Sequence, residues 1–134
     1  MSGLTDAYEN STLNLIWGGV AFTPPTTWYV GLMTSAPGDD GSGVVEPTSG
    51  GYARVAIANN TTNFPNATAG AKSNAFDIVF PIATAAWGVI TNYGWFDAAS
   101  GGNLRAFSAL DVARTIAAGD GFKFLAGDCK LTCD

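Results

Sequence analysis

The sequence predicts an all-β fold: an antiparallel β-sandwich of about seven or eight strands over residues 28–134, preceded by one N-terminal α-helix over residues 4–18. Three observations carry this. Short runs rich in Val, Ile, Phe, Tyr and Trp alternate with Gly, Pro, Asn and Asp clusters from Trp28 onward. No helical period lies between those runs, so successive strands pair antiparallel. Helical spacing occurs at the beginning of the chain, and nothing marks a second domain within residues 1–134.

The helix is justified first. Thr5 or Asp6 can cap it, and Glu9 stands three residues after Asp6, as in a capping box. Leu4, Tyr8, Ser11 and Leu15 recur on one face, and Ile16 and Trp17 widen it. Gly18-Gly19 supplies the permissive backbone that ends it. At about 12 residues it is marginal alone, so it is expected to dock.

Trp28 to Met33 is the first strand, and residues 35–51 form a long Gly-rich loop. Tyr52 to Ala58 follows, with Val55 and Ile57 alternating against smaller neighbours. Residues 59–73 are Asn/Thr/Ala-rich and read as irregular. Phe76, Ile78 and Phe80 alternate inward in the next strand. Trp87 to Asp97 is a longer or bulged strand, with Gly88 and Gly94 marking bends or close backbone approach. A turn at Ala98–Gly102 leads to the strand Asn103–Leu110. Thr115-Ile116 and Phe122–Leu125 form an expected hairpin around Asp120, and Lys130–Thr132 is a last short strand.

Composition restricts function. Eleven acidic and six basic side chains give a net charge of −5, with no histidine among 134 residues. A hydrophobic share of 47% excludes disorder. The negative balance gives no attraction for nucleic acid or anionic membranes, and Arg54, Lys72, Arg105, Arg114, Lys123 and Lys130 are scattered singly, as for ion pairs on strand faces. No segment is long and apolar enough to span a membrane, and no secretory signal precedes residue 10.

Without histidine, the commonest general base and metal ligand are missing. No nucleophile elbow or phosphate-binding glycine motif occurs. Asp39-Asp40 in a glycine loop reads as solvated rather than as a calcium site, and Asp97, Asp111 and Asp120 read as turn caps rather than a catalytic pair. The expectation is a non-enzymatic protein with no catalytic residues, no cofactor and no metal.

Trp87, Tyr93 and Trp95 share parity on one strand, while Phe96 points to the other face. Such a face is core, a protein interface or a sugar platform, and the candidate interface residues are Trp17, Trp28, Trp87, Tyr93 and Trp95. Cys129 and Cys133 would lie roughly 13 Å apart on a regular strand at about 3.3 Å per residue. A disulfide needs less than about 7 Å. Free thiols, a bridge between Cys129 and Cys133 across a turn, and intermolecular bonds all remain open.

Several motifs in order along the chain are similar to one family. Leu4-Thr5-Asp6 with Glu9-Asn10, Tyr29-Val-Gly-Leu32 and Gly50-Gly-Tyr-Ala-Arg54 resemble small structural proteins of tailed-bacteriophage virions, often labelled tail-fibre-like. So do Phe80-Pro81 with Ala83-Thr84, Trp87-Gly88, Gly94, Phe96-Asp97-Ala98, Gly101-Gly-Asn-Leu104 and Thr115-Ile-Ala-Ala-Gly-Asp120. Within that pattern the glycines and Tyr52-Ala-Arg54 are expected to be fold determinants, with Arg54 reaching across a strand face to a carboxylate.

The resemblance implies a virion component made in the host cytoplasm. Its expected partners are other phage structural proteins and further copies of itself, as a trimer or higher oligomer. An accessory or decoration role on head or neck is favoured, because the chain has no coiled-coil heptad or shaft repeat. The alternative is a tail-fibre or baseplate module that binds host carbohydrate through Trp28, Trp87 or Trp95.

Overall fold

The structure, a computed structural model, describes residues 3–132. Among them are one helix and nine strands: β1 (Gly3–Leu4), α1 (Asp6–Ile16), β2 (Thr27–Met33), β3 (Val55–Ala58), β4 (Ala71–Ser73), β5 (Ile78–Val79), β6 (Gly88–Phe96), β7 (Leu104–Ile116), β8 (Lys123–Phe124) and β9 (Lys130–Thr132). The expected all-β fold with one N-terminal helix is what forms. Five strands make the main sheet in the order β1-β7-β6-β2-β3. The opposing layer is two ribbons, β4-β9 and β5-β8, rather than a continuous second sheet. Every pairing is antiparallel.

Strand alternation divides the core between the two faces of the main sheet. Val30, Leu32, Tyr93, Trp95 and Ala106 pack beneath the ribbons with Phe64, Phe80, Phe122 and Phe124. Their chain neighbours Met33, Phe96 and Phe107 form a smaller cluster on the opposite face with Leu104, under Tyr29 and Val44. The predicted parity of Tyr93 and Trp95 against Phe96 therefore holds. At the centre of the sheet Gly31 faces Gly94 across β2 and β6. A side chain at Gly31 would meet Glu46 Oε1 at 2.7 Å and the Phe96 ring at 2.8 Å. A side chain at Gly94, predicted as a close approach, would run into Leu104 and Met33, whereas Gly31 was not singled out from the sequence.

The long strand is bulged, but chiefly in its partner. Ile90 pairs with Arg114 and Asn92 with Ala109, so four residues of β7, 110–113, oppose Thr91 alone. Val112 projects outward on this bulge.

The helix is shorter than the expected 4–18: α1 runs from Asp6 to Ile16, and Leu4 lies instead in β1, which joins the main sheet by pairing with β7. Thr5 is the N-cap residue without a side-chain cap bond. Its buried hydroxyl instead lies 3.2 Å from the carbonyl oxygens of both Leu104 and Arg105, pinning the helix start to β7. Leu4 and Tyr8 dock as expected, Tyr8 presenting its ring edge-on to Phe22 and Trp28. Leu15, Ile16 and Trp17 stay exposed. Gly18 and Gly19, both at positive φ, end the helix, and Val20 N–H closes the turn on Asn14 O at 3.0 Å.

Three local expectations differ. Phe76 does not point inward but is 60% exposed, because the buried Asn74 amide donates to Phe76 O and Leu125 O and turns the chain there. Phe122–Leu125 does not fold back on Thr115-Ile116. Phe80 N–H donates to Phe122 O and Ala83 N–H to Asp120 O, so β5 and the residues after it, up to Ala83, take that edge. Lastly, the segment read as irregular contains β4, which pairs with β9.

Candidate functional site

The Gly50–Arg54 motif joins three parts of the fold. Gly50 adopts φ +72°, and its carbonyl accepts from Trp87 Nε1 and Thr84 N–H, both at 2.9 Å. Tyr52 stacks edge-on against Trp87 at 5.4 Å, accepts from Leu32 N–H at 2.8 Å and donates to Glu46 Oε1 at 2.6 Å. Burial first, then the bond to Glu46, pushes its phenol pKa far above the usual value. Arg54 lies over the Phe96 ring, 3.6 Å from its centroid, pairs with Glu46 and donates to Ala98 O and Gly101 O. The motif thus fastens the 35–51 loop and the β6–β7 turn to the sheet, and the expected reach of Arg54 to a carboxylate is met by Glu46.

The remaining acidic candidates also serve turns. Asp97 Oδ1 accepts from Asn103 N–H at 2.8 Å, and its Oδ2 pairs with Arg105 at 3.0 Å. Burial raises the Asp97 carboxyl, but Asn103 and Arg105 outweigh it and hold the pKa below the ordinary range. Asp120 Oδ2 accepts from Ala117 N–H, and Asp40 Oδ1 from the Ser42 N–H and hydroxyl. Asp111 stands apart on the β7 bulge.

The candidate interface aromatics separate into two groups. Trp87, Tyr93 and Trp95 are 4%, 5% and 2% exposed and belong to the core, because the ribbons and Phe64 cover the face they share. They are not free surface. Trp17 is 74% exposed. With Leu13 and Ile16 it forms a stripe at i, i+3 and i+4 that stays exposed, and Val20, beyond the Gly18-Gly19 turn, is exposed as well. The periodicity had placed Leu15, Ile16 and Trp17 on the docking face, and it could not show that docking stops after Tyr8.

Trp28 and Trp95 meet at a pocket of about 180 Å³ with Tyr8, Phe64, Lys72 and Arg105 in its walls. The Arg105 guanidinium lies 5.4 Å from the Tyr8 ring centroid. Tyr8 Oη is closed to water and has no hydrogen-bond partner, an arrangement that costs about 1–3 kcal/mol. Desolvation, the leading influence on it, raises its pKa and keeps it a neutral donor. Trp87 is no part of this pocket.

Among the described residues Cys129 is buried and unpaired, and its backbone N–H donates to Asn74 Oδ1 at 3.0 Å. Burial is the main cause that pushes its pKa up to about 12. Cys133, and with it the question of a bridge between the two, lies outside the described residues. No described helix is long and apolar enough to cross a membrane.

An all-β chain whose recurring motifs serve packing, and whose helix ends in an uncovered apolar stripe, has the character of a structural protein that joins an assembly. The chain belongs to the family described as Podophage GP4 fiber I protein gp80, whose profile matches residues 3–132. It is therefore a phage fibre-type structural protein and a component of the virion, as the resemblance implied. No curated protein matches the chain.

Proposed function

We propose that the protein is a non-enzymatic building block of a phage fibre that assembles in several copies, as a trimer or higher oligomer, and contacts neighbouring virion proteins through the end of α1. The observation that carries this is the stripe of Leu13, Ile16, Trp17 and Val20. Leu13 and Ile16 at the end of α1, Trp17 at its C-cap and Val20 just past the Gly18-Gly19 turn are each more than half exposed. Contiguous apolar surface of this kind marks protein contacts, and Trp is enriched at the centres of interfaces. Family membership supports the fibre over a head or neck decoration, which has no observation of its own to favour it.

Sedimentation velocity tests the assembly. The parent protein is expected to sediment as an oligomer and the Ile16→Ser/Trp17→Ser variant as a monomer with an unchanged circular dichroism spectrum. A parent protein that stays monomeric at high concentration contradicts the reading.

A further inference from the structure

A closed ring of three or more copies joins each copy to the next through two different surfaces, whereas one surface meeting itself closes a two-fold pair. In such a ring the stripe of Leu13, Ile16 and Trp17 needs a second, separate surface on the same molecule. The largest further group of exposed apolar side chains among the described residues is on the β5-β8 ribbon, where Phe76, Val79, Ile82 and Leu125 are each more than half exposed. Outside the end of α1, the remaining exposed large apolar side chains are Val45, Val89 and Val112, spread over the 35–51 loop, β6 and the β7 bulge.

Backbone pairing gathers the four. Ile78 and Phe124 face each other and point into the core, so Val79 and its partner Lys123 point outward. The Asn74 amide donates to Phe76 O and Leu125 O, which holds these two residues side by side at one end of the ribbon. At the other end Ile82 lies over Gly121, where a Cβ would stand 3.2 Å from Ile82 Cδ1. Lys123 thus stands among apolar side chains. It is 4.0 Å from Asp77, and both side chains are about half exposed, a pair that contributes little and is free to exchange partners.

Charge selects a second copy of the chain as the occupant. The last carbonyls of a helix have no intrahelical partner and form a negative pole. α1 has no basic residue in its last turn to offset that pole. Two α1 ends packed on each other would bring like poles together, while Lys123 offers the pole a charge of opposite sign. We infer that copies join head to tail, with the end of α1 seated on the β5-β8 ribbon of the next copy and Lys123 against the carbonyl pole. The inference rests on assembly in several copies and names the surface that the stripe meets.

Two variants that each lack one surface test it. Ile16→Ser/Trp17→Ser keeps the ribbon, and Val79→Ser/Leu125→Ser keeps the stripe. In sedimentation velocity the ribbon variant is expected to be a monomer, like the stripe variant, with an unchanged circular dichroism spectrum. Mixed together, the two retain one intact contact. Unlabelled ribbon variant added to nitrogen-15-labelled stripe variant is expected to shift amide NMR signals within residues 76–82 and 121–125. Unlabelled stripe variant added in its place is expected to shift none. Lys123→Glu in the labelled partner is expected to weaken the pairing about threefold. Should the ribbon variant not fold, the same weakening is read from self-association of the chain carrying Lys123→Glu alone. A monomeric parent contradicts assembly itself and the inference with it. A ribbon variant that assembles as well as an oligomeric parent, mixed variants without shifts on the ribbon, or indifference to Lys123→Glu would each overturn the inference and leave assembly standing.

Discussion

Glu46 grips Arg54 at two points, Oε1 to Nε at 2.9 Å and Oε2 to Nη2 at 2.7 Å, with the arginine side chain 5% exposed. The fork is parallel and bidentate, a geometry that lysine cannot reproduce. Arg54→Ala strands the buried Glu46 carboxylate and leaves Ala98 O and Gly101 O without their donor. A loss of about 3–5 kcal/mol is expected in denaturant unfolding. Arg54→Lys recovers only part of it.

Gly50 tests the same region through the backbone. A Cβ there would stand 2.5 Å from Ala85 O, and the residue has positive φ. A backbone carbonyl cannot yield as a side chain would. Gly50→Ala is expected to cost about 1–3 kcal/mol, read as a lower urea midpoint. Gly101→Ala, also at positive φ but with open space around it, isolates the strain from the clash.

Alkaline pH is expected to destabilise the folded protein. Burial, the leading cause in each case, raises Cys129 from 9.0 to about 12 and pushes Tyr52 and Tyr93 above their ordinary 10.0. All three stay protonated in the folded chain at a pH where the unfolded chain releases its protons. Stability is therefore full below pH 9 and falls as pH rises through the thiol and then the phenol range. Unfolding midpoints measured from pH 7 to 11 check the sign. Native iodoacetamide labelling of Cys129 is expected only at the rate of unfolding.

The helix stripe makes a prediction in which stability and assembly separate. Ile16 and Trp17 are 59% and 74% exposed, so Ile16→Ser/Trp17→Ser is expected to change the monomer's unfolding free energy by about 0.5 kcal/mol or less. Its self-association is expected to disappear. A core role for either side chain would show as a lowered midpoint.

How far the sequence carried is seen best in particular residues. The Gly18-Gly19 stop, the opposite faces of Trp95 and Phe96, and Gly94 as a close approach were all legible, because each follows from local backbone chemistry or strand parity. The pairing of β8 with β5 was not. It depends on residues 78–83 competing for an edge some 40 positions away, and no local pattern encodes that competition. Tyr8 was legible as a docking residue, while its unpartnered hydroxyl depends on tertiary surroundings.

The claim on which the rest depends is that this chain is a building block of the fibre. Quantitative mass spectrometry of purified virions, with the chain located in the assembled particle by cryo-electron microscopy, tests it most directly. The predicted result is a fixed multiple of copies per particle, in fibre density, with the end of α1 against a neighbouring subunit. Purified virions without the chain, or with Leu13, Ile16 and Trp17 facing solvent in every copy, would contradict it.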